Sequence, residues 1–228
     1  MMSSIQLANV AQVIQREQDG LAAETRIARC PPFVAVNQIE DVAKLPTSLR
    51  WDHKAAVTPL ANAKGAAFVV DCPSLNSTAL WVGTSNDRYR DDYLIFLNAR
   101  YQLGLSAIPA PYDVDHLYNR SRAQMYGLQF IRLALVGHAA NRSHGAAYEK
   151  DVSTNEALRV RKDMKLMDEI TSMKYFGFLS PLRDDPRDDE VSAYATFAAT
   201  KLGLDPTEIK KSIRYLRNKA STPWARKA

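Results

Sequence analysis

The residues best suited to chemistry crowd into one stretch, PYDVDHLYNRSRAQMYGLQFIRLALVGHAANRSHGAAYEK at 111–150, which holds His116, His138 and His144, three of the four histidines. It opens on Asp113-Val-Asp-His116 and closes on Asn141-Arg-Ser-His-Gly145. An Asp-His pair followed by a later Asn suits phosphodiester hydrolysis. That reaction needs a water deprotonated near neutral pH, and histidine is the side chain whose ordinary pKa matches the task. It also needs the charge on the phosphate and the leaving oxygen stabilised, which a hard divalent cation does well. Such an ion takes carboxylate and amide-carbonyl oxygens and keeps several waters. Adjacent residues of a strand point to opposite faces, so Asp115 can meet a metal while His116 reaches across to the water. Asn141, from a following helix, would add its side-chain oxygen.

The elements that must position these groups read as strand, loop, strand, helix. Val114, His116 and Tyr118 alternate with Asp113, Asp115 and Leu117 in a strand that begins just past Pro111. NRSRAQMYG is a polar connector ending in glycine, Phe130 to Val136 is an apolar run rich in strand formers, and Ala139 to Lys150 has helix-forming composition.

DVDH, about 25 residues, then NRSHG resembles the HNH or His-Me finger (ββα-metal) endonucleases. The tetrapeptide looks like that of the HNH domain in RNA-guided CRISPR effector nucleases, and NRSHG looks like the N-R-x-K-G segment closing many HNH motifs. The resemblance covers about 40 of the 228 residues. It implies Asp115 as a metal ligand, His116 as general base and Asn141 as the second ligand. The ion would be Mg2+, with Mn2+ or Zn2+ as alternatives, and the substrate DNA before RNA. His144 stands where the closing lysine is usual, and could bind phosphate, serve as a third ligand or cap a turn. Nine residues before Asn141, where the family has a bracing Asn or His, stands Arg132, so Asn119 and Gln129 are candidate braces. The bland alternative is a non-catalytic nucleic-acid-binding or structural protein that retains an HNH-like hairpin, with an Asp-His pair at a strand end and Asn141 as a helix cap. His138 reads as structural, and Asp52-His53 forms a second Asp-His pair that no later Asn-rich helix completes.

The rest of the chain is a setting for this motif. Residues 3–29 read as an amphipathic helix stopped by Pro31-Pro32, and 33–86 as strand-like and turn-rich. Residues 87–103 read as a helix with an aromatic stripe, and 154–175, 188–202 and 206–220 as further helices. Asp205, Pro206 and Glu208 form a helix-start signal. The expected class is α+β: a ββα-metal motif at 105–152, embedded in a mostly helical domain with a strand-rich N-terminal half at 1–104 and a basic helical region at 153–228. Net charge is +5, and seven Lys or Arg fall between Lys210 and Lys227 with no acid among them. A second basic cluster comprises Arg159, Arg161, Lys162 and Lys165. Arg120, Arg122 and Arg142 beside the motif, and Lys210, Arg214 and Arg217 on the last helix, are the candidate phosphate contacts, since a guanidinium matches phosphate oxygens. No window approaches a membrane span, and the N-terminus lacks a Sec-type signal. Cys30 and Cys72 belong to no C-x-x-C pair and are expected as reduced thiols in a cytoplasmic protein. A homodimer or a place in a larger assembly is compatible with these features, because one-site nucleases often need two copies to break both strands.

Overall fold

The computed structural model describes residues 4–43, 55–145, 160–161, 163–181 and 188–220. Asp52-His53, Arg159, Lys162, the end of the expected 139–150 helix and the basic tail beyond residue 220 lie outside them. Helix α1 (Ser4–Ala28) buries Val10, Val13 and Leu21, recurring at helical spacing, and ends just before Pro31-Pro32. Strands β1 (Phe33–Val36), β2 (Ala56–Pro59), β3 (Ala67–Cys72), β4 (Ser77–Gly83), β5 (Tyr112–His116), β6 (Phe130–Gly137), β7 (Val160–Arg161) and β8 (Met164–Leu166) form one antiparallel sheet. Its order is β2-β3-β4-β6-β1-β8-β7, with β5 also paired to β6. The architecture is mixed α and β.

Strand β6 organises the sheet. Its first residues lie between β4 (Trp81 opposite Arg132) and β1 (Ala35 opposite Ile131), and its later residues pair with β5 (Val114 opposite Leu135, His116 opposite Leu133). Strands from all three sequence regions therefore share one sheet. Alternation assigns the faces. On one, Leu80, Val82, Val114, Leu133 and Leu135 pack with Val10 and Val13 of α1 and with Tyr93, Phe96 and Leu97 of α3 (Tyr89–Tyr101). On the other, Ala134 and Val136 meet Ala140 of α5 (His138–Gly145) and Tyr175 of α6 (Glu169–Tyr175). A satellite core joins Ala22 of α1 to Val191 and Tyr194 of α7 (Asp188–Phe197) and to Ile209 and Ile213 of α8 (Pro206–Ala220). Asp205 caps α8, accepting from the Thr207 and Glu208 amides at 2.7 and 3.0 Å.

Three local outcomes differ from the sequence reading. A short helix α2 (Ile39–Ala43) falls in the strand-rich half, and the polar connector folds as α4 (Arg120–Met125). Val160–Arg161 and Met164–Leu166 form a two-stranded edge instead of a helix. The backbone of β8 satisfies the free edge of β1, with Ala35 opposite Lys165 and Val36 opposite Met164, and that tertiary pairing overrides a helix-compatible composition. No described helix is long and apolar enough to cross a membrane.

Polar pairs tie α1 to the sheet. Arg132, only 4 % exposed, reaches Glu24 at 3.0 Å, and the Ser77 hydroxyl donates to the same carboxylate. Glu17 ties α1 to α3 instead, accepting from the hydroxyls of Tyr93 and Tyr101 at 2.9 and 3.3 Å. Gly20 marks a close approach of helix to sheet, since a Cβ there would stand 2.9 Å from Ser77 Cα and 3.0 Å from the Asn76 oxygen.

Candidate active site

The hairpin β5–β6 runs directly into α5, so the expected order of strand, strand and helix is present, with α4 inserted in the connector. Strand alternation then sorts the acidic pair from the histidine. Asp113 and Asp115 share the face covered by α5 and α6, whereas His116 shares that of Val114 and lies under α3, its ring 4.3 Å from the Tyr89 ring centre to centre. Asp113 accepts the Asn141 amide at 3.0 Å and pairs with His138 Nε2 at 3.0 Å, and the same nitrogen lies 3.1 Å from the Tyr112 carbonyl oxygen. Asp115 pairs with Lys174 of α6, Nζ to Oδ2 2.6 Å, although the lysine side chain is only 4 % exposed.

Two buried nitrogens stand out. His116 Nε2 and His144 Nδ1 have no hydrogen-bond partner among the described residues, a rare condition for buried polar atoms and one that calls for an explanation. Burial pushes the His116 ring down to about 4, helped by the positive fields of Arg120, Arg90 and Lys174. Burial also takes His144 to about 4. Its Nε2, 3.1 Å from the Phe178 carbonyl, acts the other way, while the Lys174 charge adds to the depression. Both rings are therefore neutral at physiological pH. Lys174 is the charge common to Asp115, His116 and His144.

A divalent ion on Asp115, Asn141 and His144 would need those groups open to it, and they are not arranged so. The Asp115 oxygen already faces a buried ammonium that an incoming cation would have to displace against direct repulsion. Asn141 donates its side-chain N–H to Asp113, so only its Oδ1 could meet an ion. Among the described residues no three His, Cys, Asp or Glu side chains are grouped to hold a metal. The residues present do not fit a resident divalent ion.

The other expected residues divide by exposure. Arg120 and Arg142 are exposed, as phosphate contacts need to be, whereas Arg122 is buried in α4, its 9 % exposure leaving no surface for a strand of nucleic acid. Asn119, Gln129 and Arg132, the positions considered for a brace, have separate partners. Asn119 caps α4 by accepting the Arg122 amide at 3.1 Å, which fixes the connector between the two strands. Gln129 is exposed and contributes through its backbone, its N–H to the Val36 oxygen and its carbonyl to the Thr84 amide. Arg132, in the place of the family's brace, turns to Glu24 on α1. Lys210, Arg214 and Arg217 line a polar groove between α7 and α8, where Arg217 pairs with Asp188 at 2.8 Å.

Sequence reasoning missed Lys174 and Arg90. The lysine had a signal, a single cation inside the run Met173-Lys174-Tyr175-Phe176 whose Met173 and Tyr175 are buried; a charge at such a position is retained only with a partner. Nothing local marks Arg90, whose relevance comes from α3 crossing His116. Comparison with family models, with curated proteins and with solved structures found no match to this chain.

Proposed function

We propose that this chain is a nuclease cleaving phosphodiester bonds, DNA before RNA, with His116 as the general base. The observation that carries the reading is the unpartnered Nε2 of His116 at the end of a hairpin that runs directly into a helix. No group among the described residues competes for this nitrogen, so a neutral ring with its lone pair at Nε2 could take the proton of a water. The exposed guanidiniums of Arg90 and Arg120 act on the same ring. A phosphate bound between them would offset the positive field that holds the imidazole down and so raise its basicity as substrate arrives. Nε2 is covered in this state, so the Tyr89 ring packed against His116 must shift before water or substrate reaches it. The groove lined by Lys210, Arg214 and Arg217 would hold the backbone of the nucleic acid.

A second reading has its own support. Asp115 is neutralised by Lys174 and Asn141 turns its N–H to Asp113, an arrangement that also suits a nucleic-acid-binding protein keeping the hairpin without the chemistry. Plasmid DNA and a single-stranded RNA, incubated with Mg2+, with Mn2+ or with EDTA, separate the two. The nuclease reading expects cleavage that falls at least about 100-fold in His116→Ala. Cleavage undiminished in that variant removes His116 as the base. Binding without cleavage of either substrate in any of the three conditions establishes the second reading. Activity that appears only with Mg2+ or Mn2+ would mean that Lys174 yields its place to an ion bound by Asp115 and Asn141.

A further inference from the structure

We propose that the Lys174 ammonium is the built-in cation of this site, holding the place a divalent ion would otherwise take on Asp115 and keeping that carboxylate closed to metals. An ammonium buried to 4 % exposure costs several kcal/mol in lost hydration unless a counter-charge meets it. Here the counter-charge is the Asp115 carboxylate at 2.6 Å. The lysine comes from α6, an element outside the hairpin, and α6 is anchored well enough to hold it there. Asp168 caps the helix by accepting the Thr171 amide at 2.7 Å, and Ile170, Met173 and Tyr175 are buried beside Lys174. The cation is thus placed by the core and is not a flexible surface side chain that happens to fall on an acid. Its charge reaches both His116 and His144, the two rings with unpartnered buried nitrogens. A doubly charged ion entering the same space would meet this fixed positive charge at close range, which opposes binding more than the single Asp115 carboxylate favours it.

The inference concerns the same residues as the nuclease reading but does not rest on cleavage, because its test reads metal binding alone. Mn2+ is titrated into the protein and followed by electron paramagnetic resonance of the free ion. The intact chain should bind Mn2+ only weakly. Lys174→Met, which keeps the apolar stem and removes the charge, should bind at least about tenfold tighter, and adding Asp115→Asn should abolish the gain. Equal binding by the intact chain and Lys174→Met overturns the proposal, as does a gain that survives Asp115→Asn. Lys174→Met leaves Asp115 buried without its cation and could fail to fold, so a second measurement uses the unaltered protein. Mg2+ titrated to several millimolar against protein labelled with 15N at lysine should leave the Lys174 Nζ resonance in place, and a saturable shift at submillimolar Mg2+ overturns the inference.

Discussion

Replacing Glu17 by glutamine alters a carboxyl that the fold keeps 8 % exposed between α1 and α3. Burial raises this group from its ordinary 4.5 to about 7, against the hydroxyls of Tyr93 and Tyr101 and the charge of Arg132, which favour its ionised form. The native state therefore holds this proton more tightly than the unfolded chain does. Its stabilising contribution is complete below pH 4.5, declines as pH rises, and is lost above about 7. At 1.36 kcal/mol for each tenfold in proton affinity, the part of that loss falling between pH 5 and pH 8 is roughly 2–3 kcal/mol. His116 and His144 act in the opposite sense. Lowered to about 4 in the fold, they contribute stability that is present above pH 6.5 and lost as pH falls towards 4. The pH dependence of the native protein alone would therefore blend the two trends. The difference between native protein and Glu17→Gln, measured by urea unfolding at pH 5 and pH 8, isolates Glu17. The variant should gain roughly 2–3 kcal/mol on the native protein between those values. A difference that stays constant with pH would show that Glu17 is not held protonated by burial, and the reasoning would fail.

Two further outcomes follow from the same geometry. Gly20→Ala should destabilise by about 1–3 kcal/mol in urea unfolding, although alanine is the better helix former by about 1 kcal/mol, because its methyl would press on the Ser77 and Asn76 backbone; a raised unfolding midpoint would contradict the close approach. Changing Lys210, Arg214 and Arg217 together to glutamine should lower the slope of log binding constant against log salt for duplex DNA by up to about 2.7 if all three contact phosphates. An unchanged slope would take the groove between α7 and α8 out of the nucleic-acid path.

What the sequence made readable was local. The strand of Asp113 to His116 and the run from Phe130 to Val136 declare themselves by alternation and by the proline and glycines around them, and both form as strands. The start of α8 follows from Asp205 and Pro206 in the same way. Helix α4 had its cap in view at Asn119, but six largely polar residues between two strands read more readily as loop. Strands β7 and β8 are too short to carry a period, and they exist because β1 offers them an edge. The site was legible as a set of residue types and not as an arrangement. Sequence spacing joins Asp115 to Asn141, whereas the folded chain joins Asn141 to Asp113 and Asp115 to Lys174, because which residue of a strand meets a helix depends on how the helix lies across it. Both histidines' unpaired nitrogens are products of packing that no local pattern records.

The position of β6 also bears on synthesis. Its neighbours β1 and β4 precede the hairpin, while β8, against β1, and Lys174, against Asp115, come from later in the chain. As the polypeptide leaves the ribosome, the hairpin can form early, yet Asp115 stays without its buried cation until residues as far as Lys174 have emerged and α6 has docked. A transplanted hairpin and helix would lack that same cation, along with the strands on either side of β6, so the unit is not a portable cassette. Grafting its function onto another scaffold would require carrying α6 and both flanking strands with it.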